Sequence, residues 1–340
     1  MKHLPLLFLL AGFVGLALLI SNIGLPVLFA NLLQLGWCLL IIVGIELLVD
    51  VFNTKGWWYT FSPRDRMVPF GVLYAIRQAG AAINAVTPTA TIGGEFVKVS
   101  LLQSYLPIPA GIVSVITAKL SLAFGQAFFV TIGLIVFLQR LHVSSPIAFA
   151  LVGTFVLTLL GCVLFLRFQR TGLFASGFRL AEWLRISPAI FFSLRDKTEL
   201  LDMKLAAFHA AHSMDFALSV LFHFLAQWFG ALQIYLLLRW LEIPADIWTC
   251  CAIEALALLI DGALFFVPGK VGVQEGGKVL IFTALGYTAA TGLTVGVALR
   301  LNQIIVTILG LLMLTMLQTT SASRRSARHD RRTVLHEPQR

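Results

Sequence analysis

Two stretches of this chain carry the same acid, amine and helix-breaking residues at the same spacing. Pro88, Gly93, Gly94, Glu95 and Lys98 form one, and Pro268, Gly269, Gly272, Glu275 and Lys278 the other. Both read Pro-x6-Glu-x2-Lys, and the offset between them is 180 residues throughout. A glutamate and a lysine three positions apart share a helix face, so each stretch can neutralise its own charges. In a wet pocket that pairing is also exchangeable. Lys98 and Lys278 can leave their carboxylates for a lipid phosphate, and Glu95 or Glu275 can take up a proton and couple movement to a gradient. Proline lacks a backbone donor and glycine tolerates positive φ, so each stretch ends one helix and starts another. Unpaired backbone within a bilayer survives only where it is buried in protein or lines a cavity. The breaks therefore predict a cavity between two half-helix tips, with their N-termini directed at anionic groups.

Further polar residues are placed to line that cavity: Arg77 and Asn84, seven apart on the helix entering the first hairpin, then Lys119, Glu254, Asp261, Arg300, Asn302 and Gln303. Glu46 and Asp50, four apart, are assigned to the membrane interface or to a partner in a basic loop. His209, His212 and Asp215 stand three apart at a helix end, where snorkelling explains polar residues without a metal. No metal and no cofactor is expected. Gly272 to Val279 nearly spells the phosphate loop of nucleotide hydrolases, but Val279 replaces the magnesium-binding hydroxyl and no α/β domain surrounds it. Cys38, Cys162, Cys250 and Cys251 sit in apolar text without zinc spacing and read as small hydrophobes. Gly292 and Gly296 form a small-x3-small packing face. There is no His-Glu-x-x-His and no Gly-x-Ser-x-Gly, so the chain is not expected to be an enzyme.

The elements that must position these residues follow from composition. Hydrophobic residues make up 59% of the chain and charged residues 12%, with a mean hydropathy of +0.90, against about 45–50% and about 25% in soluble domains. The solvent is lipid. Residues 121–138, 147–166, 216–238 and 304–317 are apolar runs suited to crossing a bilayer, and two more lie near the start. The first of these, residues 4–20, lacks a cleavage site and is read as a retained helix. The predicted fold is an all-α polytopic membrane protein: six transmembrane helices plus two inverted, broken-helix (re-entrant) hairpins at 67–106 and 247–286, related by the internal repeat. With both termini cytoplasmic, 17 of the 25 basic residues fall inside, only Arg140 and Arg239 fall outside, and 6 lie at membrane depth. That is the positive-inside bias, and it places the chain in the inner membrane. Halves of about 1–167 and 205–318 make one domain, joined by a cytoplasmic amphipathic loop, 168–204. The basic tail, 319–340, reads as a solvated, disordered end beside anionic lipid, not as a nucleic-acid arm.

The two motif stretches, Pro88 through Gly93-Gly94-Glu95 to Lys98 and Pro268-Gly269 through Gly272 to Glu275, resemble the flippase-like transmembrane family of lysylphosphatidylglycerol synthases. The resemblance covers about residues 5–318. The stretch from Gly56-Trp57-Trp58 to Arg66 is similar to the hopanoid-biosynthesis-associated branch of that family. After Leu317 only the short basic tail follows, without room for an aminoacyl-transferase domain. The resemblance thus implies a lipid flippase or exporter for an anionic phospholipid or a hopanoid-type lipid, with Glu95, Lys98, Glu275 and Lys278 as its matched positions. The alternative is a non-catalytic membrane subunit that presents lipid to a partner biosynthetic enzyme. The partners implied are a membrane lipid and lipid-biosynthesis enzymes, with no nucleic acid.

Overall fold

A computed structural model describes residues 17–87, 92–140, 190–263, 270 and 272–334, together with scattered positions between 149 and 175. Among the described residues all regular structure is helical. The elements are α1 (Ala17–Ile23), α2 (Leu25–Leu35), α3 (Cys38–Trp58), α4 (Phe70–Val86), α5 (Gly93–Leu102), α6 (Ile108–Arg140), α7 (Ile190–Ala211), α8 (Ser213–Trp240), α9 (Ile247–Ala263), α10 (Val273–Ala284) and α11 (Ala289–Val334). A short 3-10 turn, Pro63–Asp65, lies between α3 and α4.

Among the described residues three helices are long and apolar enough to cross a membrane: Ile108–Gln139 of α6, Ser213–Trp240 of α8 and Ala289–Thr319 of α11. They contain the apolar runs 121–138, 216–238 and 304–317. A fourth span is available if α1 and α2, bent by 90° at Gly24, count as one. Gly24 has φ of 96°, a left-handed conformation that glycine adopts without steric cost. The protein is thus a multi-pass membrane protein. Most of the run 4–20, part of 147–166 and Cys162 lie outside the described residues.

In each repeat region two helices flank a stretch that lies largely outside the described residues, 88–91 in the first and 264–269 in the second. The chain leaves α4 at Thr87, whose extended backbone (φ −111°, ψ 138°) ends the helix, and resumes helical structure at α5. Pro88, Pro268 and Gly269 lie outside the described residues. The first hairpin closes tightly: a Cβ on Gly94 of α5 would stand 1.9 Å from the Gly80 carbonyl oxygen of α4, so only glycine permits the approach. In the second, Gly277 of α10 packs on Ile260 of α9.

The repeat extends beyond the motifs. α5 starts at Gly93 and α10 at Val273, 180 residues on, and α3, α4 and α6 have counterparts in α8, α9 and α11. Packing follows the same exchange, with α4 against α11 and α9 against α6. At the centre, α3 and α8 run antiparallel. Asn53 Oδ1 is 2.7 Å from His223 Nδ1, Gln233 Nε2 donates to the Ile42 carbonyl at 3.1 Å, and Ser219 Oγ donates to the Gly56 carbonyl at 2.8 Å. Asn53 and Gln233 occupy matching positions of the two repeats, as do Ile42 and His223 within one residue.

Burial is inverted relative to a water-soluble bundle. Phe29, Phe96, Ile308, Leu312 and Met316 are exposed, while Asp50, Gln78, Ser219, His223 and Gln233 are buried. Lipid accepts the apolar surface, so polar groups gather inside, where they find hydrogen-bond partners. An apolar cluster, including Ile42, Ile234, Leu237, Ile253 and Phe282, cements α3, α8, α9 and α10. Cys38, Cys250 and Cys251 are buried free thiols. At the far end α11 continues to Val334. Extending an existing helix avoids the cost of nucleating one.

Candidate functional site

The interior holds two polar cavities that share Arg77 and Ala81. The larger, about 350 Å³, lies between α3, α4, α8, α9, α10 and α11. The smaller, about 150 Å³, is walled by α3, α4, α5, α6 and α8.

In and around the larger cavity most charges are matched. Asp50, only 5% exposed, is held by Arg77 and accepts from Gln78 Nε2 at 2.5 Å. Glu46 accepts from Gln233 at 2.9 Å and from Asn302 at 3.4 Å. Asp261, on the α9 side, accepts from Gln274 at 2.8 Å and lies 3.6 Å from Lys270 Nζ. Glu275, 1% exposed, meets Arg300 Nε at 2.6 Å and accepts from the Gly272 N–H at 2.8 Å. Gly272, with φ of 76°, makes the turn that lets Glu275 cap its own helix. Arg300 also donates to Gln303 at 2.9 Å and to the Lys270 carbonyl at 3.0 Å. Two ionisable groups of this cavity are left over: Lys278 and Glu254 make no hydrogen bond or ion pair among the described residues.

The smaller cavity centres on Glu95, which bridges Lys98 at 3.0 Å and Lys119 at 3.1 Å. Asn84 positions it from α4. Its Oδ1 accepts from the Gly94 N–H at 2.6 Å, tying down the start of α5 beside Gly93, and its Nδ2 lies 3.3 Å from Glu95. Lys98 Nζ also stands 5.7 Å from the Trp57 ring. His223 faces this cavity with its Nε2 buried and without a hydrogen-bond partner.

The structure therefore brings Glu95, Lys98, Asn84 and Lys119 together in one cavity and Lys278, Arg300 and Glu254 in the other, with Arg77 between them. Two expectations are corrected. The self-neutralising pair expected in the second motif does not form, because the guanidinium of Arg300, reaching across from α11, takes the Glu275 carboxylate from Lys278. Glu46 and Asp50 find their partners in the cavity wall, from Arg77, Gln233 and Asn302 on neighbouring helices, and not in a basic loop. Asp215 of the histidine run is taken by Arg66 at 2.6 Å, with His212 at 3.5 Å.

Sequence reasoning passed over Asn53, Gln78, His223, Gln233 and Gln274, since single polar side chains without a formal charge carry no motif. A signal did exist. Glu46, Asp50, Asn53 and Trp57 recur at spacings of four, three and four along α3, one face of a helix. A polar stripe within an apolar helix marks a wet interior.

Residues 5–310 match the family model described as the lysylphosphatidylglycerol synthase TM region. Comparison with curated proteins and with solved structures finds no match.

Proposed function

The chain belongs to the family of the lysylphosphatidylglycerol synthase transmembrane region, and from that premise we propose that it carries a lipid with an anionic head group across the bacterial inner membrane. The cargo in this reading is an anionic phospholipid or a hopanoid-type lipid. The head group occupies the larger cavity while the acyl chains stay in the bilayer, and no covalent step is involved. One observation carries the reading: an ammonium, Lys278, without a hydrogen bond or ion pair among the described residues, in a polar cavity walled by helices of both repeats. A phosphate oxygen supplies what Lys278 lacks, and the neighbouring Arg300 and Arg77 strengthen the attraction.

The two repeats are, in the same reading, inverted with respect to the membrane. Antiparallel α3 and α8 joined at matching positions support a two-fold axis in the membrane plane, the arrangement of carriers that work by alternating access. The first hairpin then dips in from the cytoplasm and the second from outside, six helices cross, and both termini are cytoplasmic. The test is reconstitution. Purified protein in vesicles containing a fluorescent phosphatidylglycerol should speed the lipid's exchange between leaflets, read by chemical quenching of the outer leaflet. Native protein that binds lipid yet leaves leaflet exchange at the protein-free rate would sink the reading. It would favour presentation of lipid to a partner enzyme.

A further inference from the structure

We propose that Glu254 takes up one proton for each anionic head group that docks at Lys278, so that lipid and proton cross together. This rests on the carrier reading above and adds its coupling ion and the residue that holds it.

The cavity identifies the acid by elimination. Asp50 is held by Arg77 and Gln78, Glu46 by two amides, Glu275 by Arg300 and the Gly272 N–H, and Glu95, next door, by two lysines. Each of these carboxylates would have to break contacts to change its charge. Glu254 makes no hydrogen bond or ion pair among the described residues. It is also built into its place: on α8 a glycine, Gly230, stands where a side chain would collide, since a Cβ there would lie 2.9 Å from Glu254 Oε1.

The charged groups acting on Glu254 are Lys278 from α10, Asp261 from its own helix α9, and Glu46 from α3. Asp50 of α3, Arg77 of α4 and Arg300 of α11 complete the charged walls. α8 contributes Gly230 and the Gln233 amide, and α6 meets α9 through Gly133 against Ala255.

Lys278 is the one basic group acting on Glu254, and no hydrogen bond joins the two among the described residues. A phosphate monoanion docking at Lys278 sets a second negative charge against Glu254, and a proton on the carboxyl removes that repulsion. The proton comes from cavity water and binds a carboxylate oxygen. The phosphate brings one negative charge, so the net charge of the loaded cavity equals that of the empty one. On release both leave, and no other bond changes. A neutral load costs less to move through a low-dielectric barrier than an anion does.

Calorimetric titration of the purified full chain in detergent with dioctanoyl phosphatidylglycerol, repeated in buffers of different ionisation enthalpy, counts the protons. The native protein should take up about one proton per lipid, and its affinity should fall by up to about tenfold per pH unit at alkaline pH. Glu254→Gln should bind with no proton uptake and a flat pH profile, and Glu254→Asp should restore the uptake with a displaced midpoint. Lipid binding by the native chain without proton uptake anywhere between about pH 5 and 9, or uptake that persists in Glu254→Gln, overturns the proposal and leaves the carrier reading standing. Should Glu254→Gln fail to fold, the native count and Glu254→Asp decide alone. No binding by the native chain overturns this proposal together with the functional reading.

Discussion

Lys278 and Arg300 carry the same charge in the same cavity, yet removing them should have opposite consequences. Lys278 makes no hydrogen bond or ion pair among the described residues and acts on Glu254 only through space. Lys278→Gln should therefore leave the thermal midpoint of the purified protein unchanged while weakening dioctanoyl phosphatidylglycerol binding and leaflet exchange. A charge-assisted hydrogen bond contributes about 1.5–3 kcal/mol, and 1.4 kcal/mol is tenfold, so the loss should be about 10- to 100-fold. Arg300→Ala instead strands Glu275, which is almost fully buried. Removing one partner of a buried pair costs about 3–5 kcal/mol, so this variant should melt well below the native protein. Melting curves in detergent beside a binding titration separate the two roles. Equal melting temperatures for both variants would contradict the assignment of Glu275 to Arg300.

Among the elements, the helices are set by how close glycine lets them come. The Gly80–Gly94 contact joins α4 to α5, and similar contacts bring α11 onto α4 and α6 onto α9. A Cβ on Gly310 would lie 2.6 Å from the Gln78 carbonyl oxygen, and one on Gly133 would lie 2.2 Å from the Ala255 Cβ. Helix association inside a bilayer lacks a hydrophobic drive and depends on such close packing. Gly94→Ala forces backbone against backbone and should cost at least about 1–3 kcal/mol, the range for overpacked sites, read as a lowered melting temperature. Gly44, an exposed α3 position with nothing within 4 Å of an added Cβ, is the control. Gly44→Ala should be neutral or stabilising by up to about 1 kcal/mol, since alanine is the better helix former. Comparable destabilisation at both positions would mean that the hairpin contact does not hold the fold together.

For the whole molecule the question is which way each half faces. Gln103 and Thr283 lie just beyond α5 and at the end of α10, both exposed, at equivalent places in the repeat. In a chain whose native cysteines are replaced, single cysteines at Gln103 and Thr283 should react with a membrane-impermeant thiol reagent from opposite faces of the membrane. Labelling from one face would rule out inverted halves.

The amino-acid order alone determined whatever is local along the chain. Apolar runs announced α6, α8 and α11, because hydrophobic length is a one-dimensional property. Proline and glycine clusters announced the divisions between α4 and α5 and between α9 and α10, because backbone permission is written residue by residue. The 180-residue echo announced two related halves. Which cation answers which acid was decided only when the helices packed. Glu95 and Glu275 have the same near neighbours in sequence, but one keeps its motif lysine and the other is captured by Arg300 from a helix 25 positions on. Charges in a low-dielectric interior pair with whatever partner the fold brings nearest, and sequence spacing controls that choice only within a turn or two of helix. Lys278 and Glu254, without a hydrogen bond or ion pair among the described residues, are the remainder of that pairing.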